Sequence, residues 1–446
     1  MKLSILVALA AFFILFSGFQ APALFFIGYL WASLLYPSAF ITLPIPFSLL
    51  FGLFCIGSYL FSDREKLGRL PSMFYIAIAF AIWVTFTTTQ AVIGAPAWEK
   101  WNWAIESIII TVACPLFLRS RAQLETAFLA AFSALSAHVL TAGVKSAFGS
   151  AGYDRLGMLM QTNNWLGETS TLALVAIMSI PMAGYAIRHS KILEPYRGWY
   201  LKVAFAIYAY LAVMCVVGTS ARTGVIAFAA LLIIGIKGLA RKAVALSCAA
   251  LFVLYGQSLL PGKALTRFSS ILTYSQDDSA EARVGVWKWA RQYAAQHPFG
   301  GGFSVFYLNE FDYTKQDATT GALITEHMKN TAPHSIYFEV LGEQGYIGEL
   351  LFLLLIVGGL WGTYRLSKKK KRDGEKELDD WPYAFSRVLF VCLVLFCTGA
   401  AFVGIAFQPL LYVFLGFYCS LHRIAKVRLA DPATIASKVA VNAVSA

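Results

Sequence analysis

His334 stands where a polar stretch meets an apolar run, in Pro333-His334-Ser335-Ile336-Tyr337-Phe338-Glu339-Val340-Leu341-Gly342-Glu343-Gln344-Gly345-Tyr346-Ile347-Gly348. Imidazole titrates near ambient pH, so a histidine at such a boundary suits a general base that takes a proton from a hydroxyl. A lone boundary histidine is as readily an interfacial hydrogen-bonder, and the catalytic reading needs partners. Three arginines supply them. Arg222 follows Gly218-Thr219-Ser220, Arg283 lies in the polar stretch before His334, and Arg155 precedes Gly157 and the pair Asn163-Asn164. Guanidinium groups keep their charge and present forked donors that match phosphate oxygens. Beside a base, they would stabilise a phosphate-bearing leaving group. Each alone also fits an interfacial arginine reaching for headgroups.

Other patterns carry less. Gly300-Gly301-Gly302 lacks the Lys and Ser/Thr of a phosphate-cradling loop and reads as a turn. Asp277-Asp278 with Glu281 could attract a divalent cation, but acids near a helix start are the simpler reading. No metal site and no cofactor are expected. Trp287 and Trp289 could stack on sugars or simply pack. Glu168 and Lys145 lie near segment ends and need no pathway explanation. The seven cysteines, Cys55, Cys114, Cys215, Cys248, Cys392, Cys397 and Cys419, all fall in apolar segments and read as small buried hydrophobes rather than a disulfide framework.

The elements that must position these residues are membrane helices. Of 446 residues, 58% are hydrophobic and 13% charged, more apolar side chain than one soluble core could hide. Apolar stretches of spanning length predict helices near 43–62, 71–95, 103–119, 124–147, 166–187, 201–219, 222–238, 243–259, 335–364, 383–405 and 407–421. Two shorter runs, 3–19 and 22–36, precede them. The start from Met1-Lys2 to Ala21-Pro22-Ala23 also has the features of a secretory signal; we read it as part of the membrane domain. The fold class is all-α: a polytopic membrane protein of about twelve transmembrane helices with one long, largely helical extracytoplasmic loop.

Lys and Arg set the orientation. Basic clusters at Arg64 to Arg69, Arg119 and Arg121, Arg188 to Arg197, Lys237 to Lys242, Lys368 to Arg372 and Arg423 to Arg428 all fall on one face by helix parity, the cytoplasmic one. With Met1 in the cytoplasm, as we read it, that parity needs two crossings among the three apolar runs before residue 63; otherwise Met1 lies outside. The net charge of +12 is therefore a topology signal rather than a nucleic-acid footprint. The chain divides into helices over 1–259, with about ten crossings, an outer loop over 260–334, the last helices over 335–425 and a cytoplasmic tail over 426–446. The loop holds seven basic and seven acidic residues and many aromatics, so it is no linker. Within it, Ser279 to Ala295 has amphipathic helical spacing and stops before His297-Pro298.

These residues resemble the O-antigen ligase and polymerase superfamily of bacterial envelope glycosyltransferases. His334-Ser335-x-Tyr337-Phe338-x-x-Leu341-x-Glu343-x-Gly345-x-x-Gly348 resembles its most specific motif. Ser220-Ala221-Arg222-Thr223-Gly224 is similar to its Ser-Arg-Ser/Thr-Gly turn, with Ala221 inserted. Arg283-x-x-x-Trp287 followed by Pro298-Phe299-Gly300-Gly301-Gly302-Phe303, and Arg155-x-Gly157 with Asn163 or Asn164, are similar to its loop patterns. The resemblance implies a metal-independent, inverting transferase in the bacterial inner membrane with its site facing the periplasm. The donor would be a glycan on undecaprenyl pyrophosphate and the acceptor the lipid A core, with membrane lipids around both. His334 would be the base, and Arg222, Arg283 and Arg155 would hold the pyrophosphate. Tyr337, Glu339, Asn163, Asn164 and Trp287 would support them. A protein O-oligosaccharyltransferase, an O-antigen polymerase and a lipid-glycan transporter remain as alternatives.

Overall fold

The computed structural model describes residues 2–37, 46–61, 70–148, 165–219, 221–235, 238, 278–316, 323–368 and 381–430. The expected helix at 243–259 and the tail beyond residue 430 lie outside them, as do Arg155, Asn163 and Asn164.

Among the described residues, nine helices come before the loop: α1 (Lys2–Gly18), α2 (Ala23–Leu35), α3 (Phe47–Phe61), α4 (Ser72–Thr89), α5 (Gly94–Phe117), α6 (Arg121–Ala147), α7 (Thr169–His189), α8 (Trp199–Thr219) and α9 (Arg222–Gly235). In the loop lie α10 (Asp278–Gln296) and two strands, β1 (Glu310–Gln316) and β2 (Leu323–Lys329). The chain then returns to α11 (Ile336–Ser367), α12 (Trp381–Gly399) and α13 (Pro409–Ala430). This is an all-α membrane protein. Six of the described helices, those beginning at Ser72, Arg121, Thr169, Trp199, Ile336 and Trp381, are long and apolar enough to cross a membrane. The expectation of about twelve crossings also counts shorter apolar helices such as those at Ala23–Leu35 and Phe47–Leu60.

Burial explains the layout. From Pro409 to Leu421 α13 is apolar on nearly every side, and Tyr412, Phe414, Leu415, Phe417, Cys419 and Leu421 are all buried in it, which marks it as the centre of the bundle. It packs chiefly on α5. By contrast α1 and α3 leave Phe12, Phe13, Phe16, Leu53 and Ile56 exposed, the pattern of helices that face lipid. Ser120 starts α6 sharply with a capping box, its hydroxyl accepting from Gln123 N while Gln123 Oε1 accepts from Ser120 N.

The largely helical loop needs one correction. β1 and β2 form an antiparallel hairpin, with Glu310 opposite Lys329 and Asp312 opposite His327. Its signal is the alternation Glu310-Phe311-Asp312-Tyr313-Thr314, a period of two that turns Phe311 and Tyr313 to one side. Phe311 packs with α10, where Val286 and Ala290 are buried.

Candidate functional site

The site is built on the entry to α11. Asn309, itself buried, clamps the approaching chain: its Nδ2 donates to Thr331 O at 2.6 Å and its Oδ1 accepts from Thr331 N at 2.8 Å. Trp287 Nε1 donates to Pro333 O at 2.7 Å, and its ring stacks on Phe338 at 5.0 Å. Trp287 therefore spends its indole N–H on holding the backbone next to His334. His334 itself has φ +46°, a left-handed conformation that costs a residue with a Cβ about 1 kcal/mol or more and persists only when its surroundings impose it. Its side chain is 41% exposed, and Nδ1 lies 3.7 Å from Glu168 Oε1. That is ion-pair range rather than a hydrogen bond. With Nδ1 facing a carboxylate, Nε2 is the nitrogen left for a substrate proton.

Behind His334 the helix breaks. Gly345 has φ +65°, and a Cβ there would lie 2.3 Å from Pro298 O. The break frees helix carbonyls, and each finds a donor: Gly301 N to Gly342 O at 3.2 Å, Gly302 N to Glu343 O at 2.9 Å, and Trp83 Nε1 to Gln344 O at 2.9 Å. Tyr346 N in turn donates to Pro298 O at 2.9 Å. Thus the three-glycine turn does not cradle phosphate; it docks backbone to backbone against the broken helix.

One helical turn apart on α11, Glu339 and Glu343 both grip Lys100 at the start of α5, with Nζ 2.7 Å and 2.9 Å from their Oε1 atoms. Ala406 N donates to Glu339 Oε2 and Ser304 N to Glu343 Oε1, each at 3.0 Å. Glu343 Oε2 is buried with no partner among the described residues. Lys100 also lies 5.5 Å from the Phe303 ring and 5.3 Å from Phe407. Glu339 is therefore bound up in this knot, and the Tyr337 hydroxyl donates to Cys397 O at 3.3 Å. Both position α11.

Arg222 and Arg283 share an end of the bundle with His334. Gly224, two residues into α9, packs on Val216 near the end of α8 and on Ala173 near the start of α7. Glu168, which faces His334, directly precedes α7, so Arg222 opens α9 at that same end. Arg283 lies one turn before Trp287 on α10, the helix whose Trp287 holds Pro333. Arg155, Asn163 and Asn164 belong to the preceding connection, outside the described residues. Among the described residues, Arg119, Arg121, Arg188, Arg197 and Arg423 make the opposite end basic. Arg121 Nη2 donates to His189 O at 3.2 Å, Arg119 Nε to Leu116 O at 2.7 Å and Arg423 Nη1 to Pro115 O at 2.6 Å.

Residues 207–353, from α8 into α11, match the O-antigen ligase family. That match places this segment of the chain in the O-antigen ligase superfamily. Residues 1–191 match a second family, described as one of unknown function (DUF5935). No curated protein matches the chain. The ligase-family segment contributes Arg222, Arg283, His334, Glu339 and Glu343. Glu168 and Lys100 come from the first segment, so the candidate site draws on both.

Those two residues are the ones that sequence reasoning passes over. Lys100 carries a signal, being a lysine among Trp98, Trp101 and Trp103 at the head of an apolar segment, where an ionisable group needs a partner. Glu168 carries none, because nothing in its neighbours points to a histidine so distant in the chain.

Proposed function

We propose that the protein is an O-antigen ligase. It transfers a glycan from undecaprenyl pyrophosphate to a hydroxyl of the lipid A core at the periplasmic face of the inner membrane. The observation that carries this reading is His334, held in a strained turn with Nδ1 toward Glu168, at the same end of the bundle as Arg222 and opposite the basic end. Positive charge favours the cytoplasm, which turns the His334 end outward.

His334 Nε2 takes the proton as the acceptor oxygen attacks the anomeric carbon. The bond from that carbon to the phosphate oxygen breaks on the opposite face, inverting its configuration, and undecaprenyl pyrophosphate leaves. Arg222 and Arg283, with Arg155, hold the pyrophosphate and offset the charge that grows on it. Glu168 faces Nδ1 and so orients the imidazole. Arginine does here what a metal does in many phosphate-displacing enzymes, so no metal is required.

The test is the envelope of a deletion strain. A ligase predicts loss of long-chain lipopolysaccharide together with accumulation of lipid-linked glycan. Single-repeat lipopolysaccharide would indicate a polymerase, and unchanged lipopolysaccharide a transferase acting on another acceptor.

A further inference from the structure

A cavity of about 300 Å³ opens beside the Lys100 knot, with Lys100, Glu339, Glu343, Ser304, Asn330 and Gln408 in its wall. A water's share of liquid volume is about 30 Å³, so the cavity has the scale of one sugar ring with its hydroxyls. It adjoins the base. Pro333, next to His334 in the chain, lines it, and so does Gly404, where a Cβ would lie 3.9 Å from His334 Cα and 3.6 Å from Glu339 Oε2.

The wall chemistry selects the occupant. One ammonium against two carboxyl groups sums to −1 when both are ionised and to zero when one is protonated, and neither state attracts phosphate. The donor pyrophosphate therefore belongs with the arginines and not here. Glu343 Oε1 is engaged by Lys100 and Ser304 N, whereas its buried Oε2 has no partner among the described residues. A buried polar atom left unpaired costs about 1–3 kcal/mol, so a ligand that pairs it is favoured. A sugar hydroxyl both donates and accepts, and it satisfies this oxygen in either protonation state.

We propose that this cavity is the acceptor subsite: it seats one uncharged sugar ring of the acceptor, with one hydroxyl on Glu343 Oε2 and a neighbouring hydroxyl presented to His334. The proposal rests on the ligase reading for the identity of the acceptor, but not for the pairing of a hydroxyl-rich ring with Glu343.

Two variants test it. Glu343→Gln keeps the shape and changes the hydrogen bonding of the free atom. Gly404→Val fills the cavity, and its Cβ meets nothing closer than 3.6 Å. Both should raise the KM for acceptor at least tenfold while donor affinity stays within about twofold. By calorimetry, purified wild-type protein should bind core oligosaccharide released from lipopolysaccharide, and Gly404→Val should lose that binding. If folded Gly404→Val keeps wild-type acceptor KM and oligosaccharide affinity, or if donor affinity falls in place of acceptor affinity, the subsite is refuted. It is refuted equally if the wild type binds no oligosaccharide. Should Glu343→Gln fail to fold, Gly404→Val decides alone. Wild-type binding that Gly404→Val abolishes, with no transfer by either protein, would sink the ligase reading and leave the subsite standing.

Discussion

Each end of the bundle contains a buried carboxylate knot, and the two are finished differently. At the basic end Glu125 is closed. Arg121 Nε donates to it at 2.7 Å and Lys191 N at 2.8 Å, while Tyr185 and Ser190 hydroxyls stand at 3.4 Å. Both of its oxygens have partners, and Arg121 is capped by the Trp381 ring at 5.0 Å. At the His334 end, Glu339 and Glu343 share one lysine, one oxygen is left over, and a cavity runs alongside. A closed knot fastens helices. An open one is built for something that arrives later.

The largest effect that could break this comparison comes from removing each cation. Lys100→Met leaves two carboxyl groups facing one another without a counter-charge, and loss of one partner of a buried pair costs about 3–5 kcal/mol. Arg121→Met leaves Glu125 with its backbone donor and nearby hydroxyls, so the loss should be about 1–3 kcal/mol. Thermal unfolding of both variants in detergent ranks them. Equal losses would mean that the two knots do the same work.

A smaller effect separates site-end backbone from lipid-facing backbone. Gly345→Ala forces a Cβ against Pro298 O and the Gly300 amide, and should cost on the order of 1–3 kcal/mol and most transfer activity. Gly57→Ala on α3 meets nothing within 4 Å, and should be neutral or slightly stabilising through its helix propensity. Melting temperatures of the pair check this, and a harmless Gly345→Ala would remove the reason for the break in α11.

The smallest effect lies in the hairpin. Asp312 and Glu310 hydrogen-bond to His327 and raise its pKa above the ordinary histidine value. A pKa raised on folding contributes stability that is complete below the unfolded value of about 6.5 and lost as pH climbs through the folded one. Amide exchange across β1 and β2, corrected for its intrinsic rate, should therefore quicken modestly as the pH rises above about 6.5. His327→Gln should flatten that dependence. A wild-type hairpin whose protection ignores pH would show that these exposed contacts contribute nothing.

Much of this was legible in the sequence because apolar periodicity reports burial directly. The helices at 124–147, 201–219 and 335–364 appear within a few residues of their expected ends, at Arg121–Ala147, Trp199–Thr219 and Ile336–Ser367. α5 begins at Gly94 rather than near residue 103, because Glu99, Lys100 and Asn102 interrupt the apolar pattern, and the partners of Lys100, Glu339 and Glu343, lie far along the chain. The hairpin stayed hidden for a related reason: its strands are mostly exposed, so charge dilutes the period of two. His334 and the arginines could be picked out by residue type and boundary position. Glu168 and Lys100 could not be joined to them, since only the folded chain brings residues 168, 100 and 339 near residue 334.

The central claim is that His334 is the base at the open end. Its most direct test is glycan transfer per mole of folded His334→Ala protein, measured together with affinity for lipid-linked donor. The account predicts normal folding and retained donor binding, with transfer lowered about 10²–10⁴-fold. Retention of more than about a tenth of wild-type turnover, an effect below roughly 1.4 kcal/mol, would contradict it and leave His334 as an interfacial hydrogen-bonder.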